Sequence, residues 1–177
     1  AGLEACYRES GWLPAWASPG HRGCMVGNNS ASVVADAWLS GARGGYEIQK
    51  LYEAVVHGAE NAHPSIQSVG RAGAKEYLEL GYVPRDAGIN ESAARSLEYA
   101  YADWCVWRLA VDLKRPQEEI DRFARRCQNY RKLFHPEQKL MSGRNRDGSF
   151  DKDFNPFKWG GDFTEGCSLH YTWSVFH

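Results

Sequence analysis

The stretch Ser92-Ala-Ala-Arg-Ser-Leu-Glu-Tyr-Ala-Tyr-Ala-Asp-Trp-Cys-Val-Trp-Arg-Leu-Ala-Val-Asp-Leu-Lys114, followed by Arg115 and Pro116-Gln-Glu-Glu-Ile-Asp-Arg-Phe-Ala-Arg-Arg126, decides the fold. Ala94, Leu97, Tyr101, Trp104, Cys105, Leu109 and Leu113 recur mostly three or four apart, the period that gathers side chains on one face of an α-helix. Ser92 is an N-cap residue type, so the spacing predicts one long helix from Ser92 to about Lys114. Pro116 then starts a second helix in its first turn, where a missing N–H does no harm. Glu118 and Glu119 oppose the positive start of that helix, and Arg125, Arg126, Arg131 and Lys132 suit its far end. These basic residues read as a solvated, dipole-matched face. Two long helices with so short a link must lie antiparallel.

The same pattern extends outward. Asn28, Asn29 and Ser30 offer an N-cap to a helix over 32–40, with Val33, Val34, Ala37 and Trp38 as its apolar face. Asp36 sits among these apolar neighbours, where a carboxylate costs free energy unless it has a partner or faces a wet cavity. A helix over 46–61 follows, with Ile48, Leu51, Tyr52, Val55, Val56 and Ala59 at helical spacing, and another over 72–80 stops at Gly81. Tyr82-Val83-Pro84 is extended, because proline keeps the preceding residue out of the helical region. Helix pairs without strand–helix alternation build bundles, solenoids or toroids.

Composition narrows the function classes. The chain has 177 residues and 43% apolar content, enough for one domain with a core. A net charge of −1 gives no electrostatic case for nucleic acid or an anionic membrane. No apolar run approaches the ~18 residues of a membrane span. Seven Trp and nine Tyr exceed the ordinary share; rings in such number fill helical cores or line sugar clefts. No secretory signal is evident. The start at Ala1 and the stop at His177 inside an apolar segment are read as the ends of an interior piece of a longer polypeptide. Five cysteines lack any Cys-x-x-Cys pair, and Cys105 and Cys127 fall in helical patterns as buried free thiols.

Two regions break the helical pattern. Residues 1–28 are rich in proline and glycine from Gly11 onward and read as irregular, with a short buried strand at Cys24–Val26; Trp12 and Trp16 are candidates for a cleft wall. Residues 134–163 form a long connection in which Asp147-Gly148 marks a tight hairpin turn. A connection of that length inside a helical domain usually has a function. It leads into Trp159-Gly-Gly-Asp-Phe-Thr-Glu-Gly-Cys-Ser-Leu-His-Tyr-Thr-Trp-Ser-Val-Phe-His177. Here Glu165 sits at a glycine-flanked bend before a helix that Thr164 or Ser168 caps, with Leu169, Trp173 and Phe176 on one face. A carboxyl walled by rings at a helix mouth is partly desolvated, the condition a general acid needs; a plain capping role fits the same spacing.

In their order, several blocks match a known family: Gly-Cys-Met-Val-Gly-Asn (23–28), Ser-Val-Val-Ala-Asp-Ala-Trp (32–38), Gly-Arg-Ala-Gly (70–73) leading to Tyr-Leu-Glu-Leu-Gly-Tyr-Val-Pro (77–84), and Ser-Leu-Glu-Tyr-Ala-Tyr-Ala-Asp-Trp (96–104). Asn-Tyr-Arg-Lys-Leu-Phe (129–134), Arg-Asn-Arg-Asp-Gly-Ser-Phe (144–150), Phe-Thr-Glu-Gly (163–166) and His-Tyr-Thr-Trp-Ser-Val (170–175) continue the series. The chain resembles the catalytic domain of glycoside hydrolase family 92, calcium-dependent exo-acting α-mannosidases. The resemblance implies an all-α fold, part of an (α/α)6 toroid of antiparallel helix hairpins with a long functional loop. Six helices would be roughly half of such a toroid, which in the complete enzyme packs against an N-terminal β-sandwich.

The resemblance further implies that Glu165 is the general acid of an inverting hydrolysis, with an α-1,2-type linkage as its target. Asp36 and Arg71 become sugar-hydroxyl ligands, and Trp159, Cys167 and His170 become cleft residues. The base, an aspartate, and the Ca2+ ligands fall beyond His177, so the 177 residues alone would be inactive. Substrates would be mannose-containing oligosaccharides or N-glycans, acted on by a secreted, periplasmic or cell-surface protein whose partner is the rest of its own polypeptide. Cys167, Leu169 and Phe176 depart from the family pattern, which bears on linkage specificity. A non-catalytic helical carbohydrate-binding or interaction module is the alternative class.

Overall fold

The computed structural model describes residues 1–177 with the exception of Ala17. Its helices are α1 (Gly2–Ser10), α2 (Ser30–Leu39), α3 (Ile48–Glu60), α4 (Ala74–Leu80), α5 (Ser92–Asp112), α6 (Gln117–Arg126) and α7 (Ser168–Thr172), with a 3₁₀ segment at Cys127–Leu133. The described residues form no strand, only isolated bridges such as Arg144 with Phe150. The all-α, (α/α)6-type reading holds.

Side-chain pairs fix the directions of the helices. Arg126 at the end of α6 reaches Asp103 in the middle of α5, so these two run antiparallel. Tyr52 in α3 donates to Glu119 at the start of α6, while Glu60 at the end of α3 pairs with Arg126. Accordingly α3 and α6 run together, opposite to α5. Trp38 near the end of α2 donates Nε1–H to Asp112 at the end of α5, at 2.6 Å. Thus α2 lies along α5, and α2 with α3 forms another hairpin.

α5 is the axis of the packing. Ala93, Ala94, Ala100, Val106, Leu109 and Ala110 are all fully buried, so this helix is enclosed on more than the one stripe its period predicts. The small alanines let neighbouring helices approach closely. Val34, Leu51, Val55, Leu109 and Phe123 make the main core between α2, α3, α5 and α6. Tyr82, Leu97, Leu133, Met141 and Phe163 make a second one, with Tyr171 packed on it, and it fastens the long connection to α5.

Several expectations change. Residues 2–10 are helical, because Leu3 and Tyr7 find the main core; the irregular path begins only at Gly11. The strand expected at Cys24–Val26 does not form, and the Met25 carbonyl instead accepts from the Ser68 hydroxyl. Pro116 is the N-cap of α6 rather than its first residue. Of the basic face on α6, Arg126 turns inward to Asp103.

Ser92 is not the cap of α5. Glu91 holds that place with a left-handed φ of 60°, and Ser92 donates its hydroxyl to Asp162 at 3.1 Å. The free N–H groups of Ala93 and Ala94 both donate to the Asp162 carbonyl at 3.0 Å. A distant loop therefore caps the longest helix.

Ser96 ties α5 to the extended 82–84 segment. Its buried hydroxyl accepts from Val83 N–H at 2.8 Å and donates to Ser92 C=O at 2.7 Å. Ser96→Ala leaves the Val83 N–H without a partner in the core, so it should destabilise the domain by about 1–3 kcal/mol. Denaturant unfolding checks this; a change within error would mean that the N–H finds water.

Candidate active site

The loop that carries Glu165 is held on both sides of its tip. Gly160 N–H donates to Gly166 C=O at 2.8 Å, closing the loop. Asp162 is clamped by Arg85 at 3.2 Å as well as by the start of α5. On the far side, the Tyr171 hydroxyl donates to Thr164 C=O at 2.9 Å, and its ring packs on Phe163 at 5.1 Å between centroids. Glu165 lies between these anchors with a φ of 46°. A non-glycine residue in that region costs about 1–2 kcal/mol, which the anchored flanks supply. The bend expected at Glu165 is present.

Its surroundings differ from expectation. α7 is a single turn that stops at Thr172, and its N-cap is Cys167, neither Thr164 nor Ser168. Ser168 is inside the helix and donates to Met141 C=O. Trp173 and Phe176 do not form a helical face; they are 78% and 81% exposed. Glu165 is likewise exposed and makes no hydrogen bond or ion pair with a described residue. The helix-mouth desolvation expected of it is absent, because the helix begins three residues later and the rings lie to one side.

Glu165 borders an open, mainly polar hollow of about 470 Å³, together with Cys24, Gln67, Asn90, Glu91 and Arg95. The lining comes from α5 and from four irregular segments, 23–25, 67–68, 90–91 and 160–165. Arg95 holds the arrangement: its guanidinium donates to Asn90 C=O, to Val26 C=O and to Glu91.

The other predicted residues divide into two groups. Trp159, Cys167 and His170 share the loop with Glu165. His170 Nδ1 accepts from Cys167 N–H at 3.2 Å and lies 3.1 Å from its buried Sγ. The Trp159 ring, 66% exposed, meets His170 edge-on at 6.0 Å. Asp36 and Arg71 lie elsewhere. Asp36 is exposed on α2, with the Ser40 hydroxyl at 3.3 Å, and does not border this hollow. Arg71 is only 3% exposed and pairs with Asp103 of α5 at 2.8 Å; its Nη1 has no hydrogen-bond partner, and the residue borders a small pocket of about 20 Å³ rather than this hollow.

Sequence reasoning passed over Glu98. It occupies the stripe of Ala94, Tyr101 and Cys105 on α5, and a carboxylate on an apolar stripe was the available signal. Burial holds its carboxyl above the usual range. The Tyr101 hydroxyl is raised by the Cys105 thiol first and burial next, with Asp36 and Glu98 adding to both. For Tyr171 burial leads, and Glu98 and Glu91 add to it. Glu98 therefore lies in the field of one phenol shared with Asp36 and of another under the Glu165 loop.

Comparison with known proteins identifies the family. The profile of the glycosyl hydrolase family 92 catalytic domain matches residues 1–177, the whole chain. The chain belongs to glycosyl hydrolase family 92. It is 46% identical to the family GH92 inverting mannosidase BT2199 from Bacteroides thetaiotaomicron VPI-5482, with a TM-score of 0.94 over 99% of this chain and 23% of that one. The family GH92 α-mannosidase BT3965 from Bacteroides thetaiotaomicron is 34% identical, with a TM-score of 0.86 over 98% of this chain and 22% of its own. A protein named an uncharacterized secreted glycosidase from Arthroderma benhamiae is 30% identical over 164 residues, 88% of this chain and 21% of the relative. This family 92 chain thus spans less than a quarter of the length of these relatives.

Calcium, which the family resemblance implies, does not fit the residues present. Among the described residues no three His, Cys, Asp or Glu side chains converge to hold an ion. Asp103, the most enclosed carboxylate, already accepts from Arg71, Arg126 and Tyr77. No chemical step through calcium is derived from this chain.

Proposed function

We propose that the polypeptide to which this family 92 domain belongs is an exo-acting α-mannosidase that cleaves α-1,2-type linkages with inversion. Glu165 is its general acid. The observation that carries this reading is Glu165 itself, a carboxylate held in left-handed backbone on the edge of a polar hollow, with no described partner. A structural carboxylate in a clamped loop would be expected to hold something; this one is left for a ligand.

In the proposed reaction Glu165 donates its proton to the glycosidic oxygen as the bond to the anomeric carbon breaks. A base on the opposite face of the sugar removes a proton from water as that water attacks. An inverting pair needs its carboxyls about 6.5–9.5 Å apart to admit the water. A mannosyl unit in the hollow displaces solvent from Glu165, so the desolvation that the free loop lacks comes with the substrate. Trp159 and His170 flank the acid where the leaving sugar departs. Cys167 holds His170 in place, while Asp36, outside the hollow, takes no part in this arrangement. The relative with 46% identity is described as an inverting mannosidase, which supports the sugar and the stereochemistry, and another is recorded in complex with mannoimidazole, which supports the sugar. The relative named as secreted supports an extracytoplasmic or cell-surface location, where mannose-bearing glycans are met.

Proton NMR during early turnover of an α-mannoside by the full-length protein tests the reading. The first anomer released should be β-mannose, converting later to the equilibrium mixture. Initial release of α-mannose would overturn inversion, and no release from any α-mannoside would overturn the activity.

A further inference from the structure

Apart from Glu165, the carboxylates on and beside α5 named here have partners, with one exception. Glu91 pairs with Arg95, Asp103 with Arg71 and Arg126, Asp112 accepts from Trp38, and Asp162 pairs with Arg85. Glu98 is half-buried in the first half of α5 and has no hydrogen bond or ion pair with any described residue. A partly buried anion without a partner is destabilising and persists where function requires it.

Its position is built with care for space. Gly27 lies directly on the Glu98 side chain: a Cβ there would come within 2.9 Å of Glu98 Cβ and 3.4 Å of Oε2. Only glycine lets the 23–28 segment pass so close. Gly27 follows Met25, and Glu98 lies one turn beyond Arg95; Met25 and Arg95 both border the Glu165 hollow. Glu98 does not itself line the hollow but lies beside Gly27 and one helical turn from Arg95, next to residues that do.

We propose that Glu98 contacts the substrate directly, accepting hydrogen bonds from one or two adjacent hydroxyls of the bound mannosyl unit. This rests on the α-mannosidase reading above. A sugar hydroxyl fits the vacancy in the pairing: an O–H donor to a carboxylate makes a short, charge-assisted bond without bringing a charge into the hollow. A divalent cation does not fit, since no second and third ligand converge there.

The test uses the full-length protein and the variant Glu98→Gln, which keeps the shape. Both are assayed on an aryl α-mannoside and on its 2-, 3-, 4- and 6-deoxy analogues. On the mannoside, Glu98→Gln should lower kcat/KM by about 10–100-fold, as loss of a charged hydrogen bond does. For one or two deoxy analogues the variant should lose no further rate, because the partner hydroxyl is already gone. Dividing wild type by variant on each analogue removes the intrinsic reactivity of the sugar. The thermal midpoint of Glu98→Gln should equal or exceed that of wild type, since an uncompensated anion has been removed.

A wild-type rate retained by the variant, the same loss on every analogue, or a lowered midpoint would overturn the proposal in favour of a structural role. The two readings fail separately. Wild-type turnover of mannosides reports on the mannosidase activity, whereas the wild type-to-variant ratio reports on Glu98, and it is read on whichever glycoside the wild type cleaves.

Discussion

On the mannosidase reading proposed above, Glu165→Gln in the full-length protein should lower kcat/KM on an α-linked mannobioside by about 10²–10⁴-fold, the usual contribution of a positioned general acid. The amide fills the same space but has no proton to give at neutral pH. Folding is unaffected, because the exposed side chain makes no hydrogen bond or ion pair with a described residue. The loss is much smaller on an aryl mannoside with a good leaving group, since a stable phenolate departs without protonation. The sensitivity of rate to leaving-group pKa, measured for wild type and variant over a series of aryl mannosides, is the decisive comparison. It should be steeper for the variant. Equal losses across the series would remove Glu165 from the acid role and leave it as a binding residue.

Asp103→Asn produces the largest expected loss of stability. Asp103 is 0% exposed. Oδ1 accepts from Arg71 at 2.8 Å and from Arg126 at 2.9 Å. Oδ2 accepts from Arg126 Nε at 3.1 Å and from the Tyr77 hydroxyl at 3.0 Å. Burial pushes the Tyr77 phenol well above its ordinary range, so it remains a neutral donor. The variant keeps the volume and removes the one charge that both guanidiniums share. Breaking a buried pair from one side costs about 3–5 kcal/mol, which for a domain of this size corresponds to roughly 6–20 °C in Tm. Calorimetry of the catalytic domain within the full-length protein provides the measurement. A shift of less than about 2 °C, corresponding to under ~1 kcal/mol, would mean that Glu60, which already pairs with Arg126 and Arg122, had taken over the compensation.

Arg71 shows where local reading and tertiary structure part. In the sequence it is an arginine after a glycine, in a block whose family role suggests a sugar ligand. In the structure its Nη2 is committed to Asp103 and to the Tyr99 carbonyl, while Nη1 is buried without a partner. Nothing in residues 68–75 announces Asp103, 32 positions away. Ser92 is a similar case: its residue type suits an N-cap, yet the Asp162 carbonyl from a distant loop caps the helix instead. In both, a partner brought in by the fold displaced the local choice. Glu98 is the opposite, since the mismatch of a carboxylate on an apolar stripe was visible in the sequence and only its lack of a partner required coordinates.

The sequence by itself determined the helical architecture. Apolar residues three and four apart, glycine stops and the short link at Pro116 specify helices and hairpins, because helical hydrogen bonds and facing side chains are local in the chain. The ordered blocks also carried the family and singled out Glu165. Tertiary structure alone decided which charged groups are braces and which are left free. Pairing depends on contacts between residues far apart in the chain, and the cost of an unpaired charge depends on how much water the packed neighbours exclude. By that criterion Asp103 and Arg71 belong to the framework, and Glu165 and Glu98 remain available to a ligand.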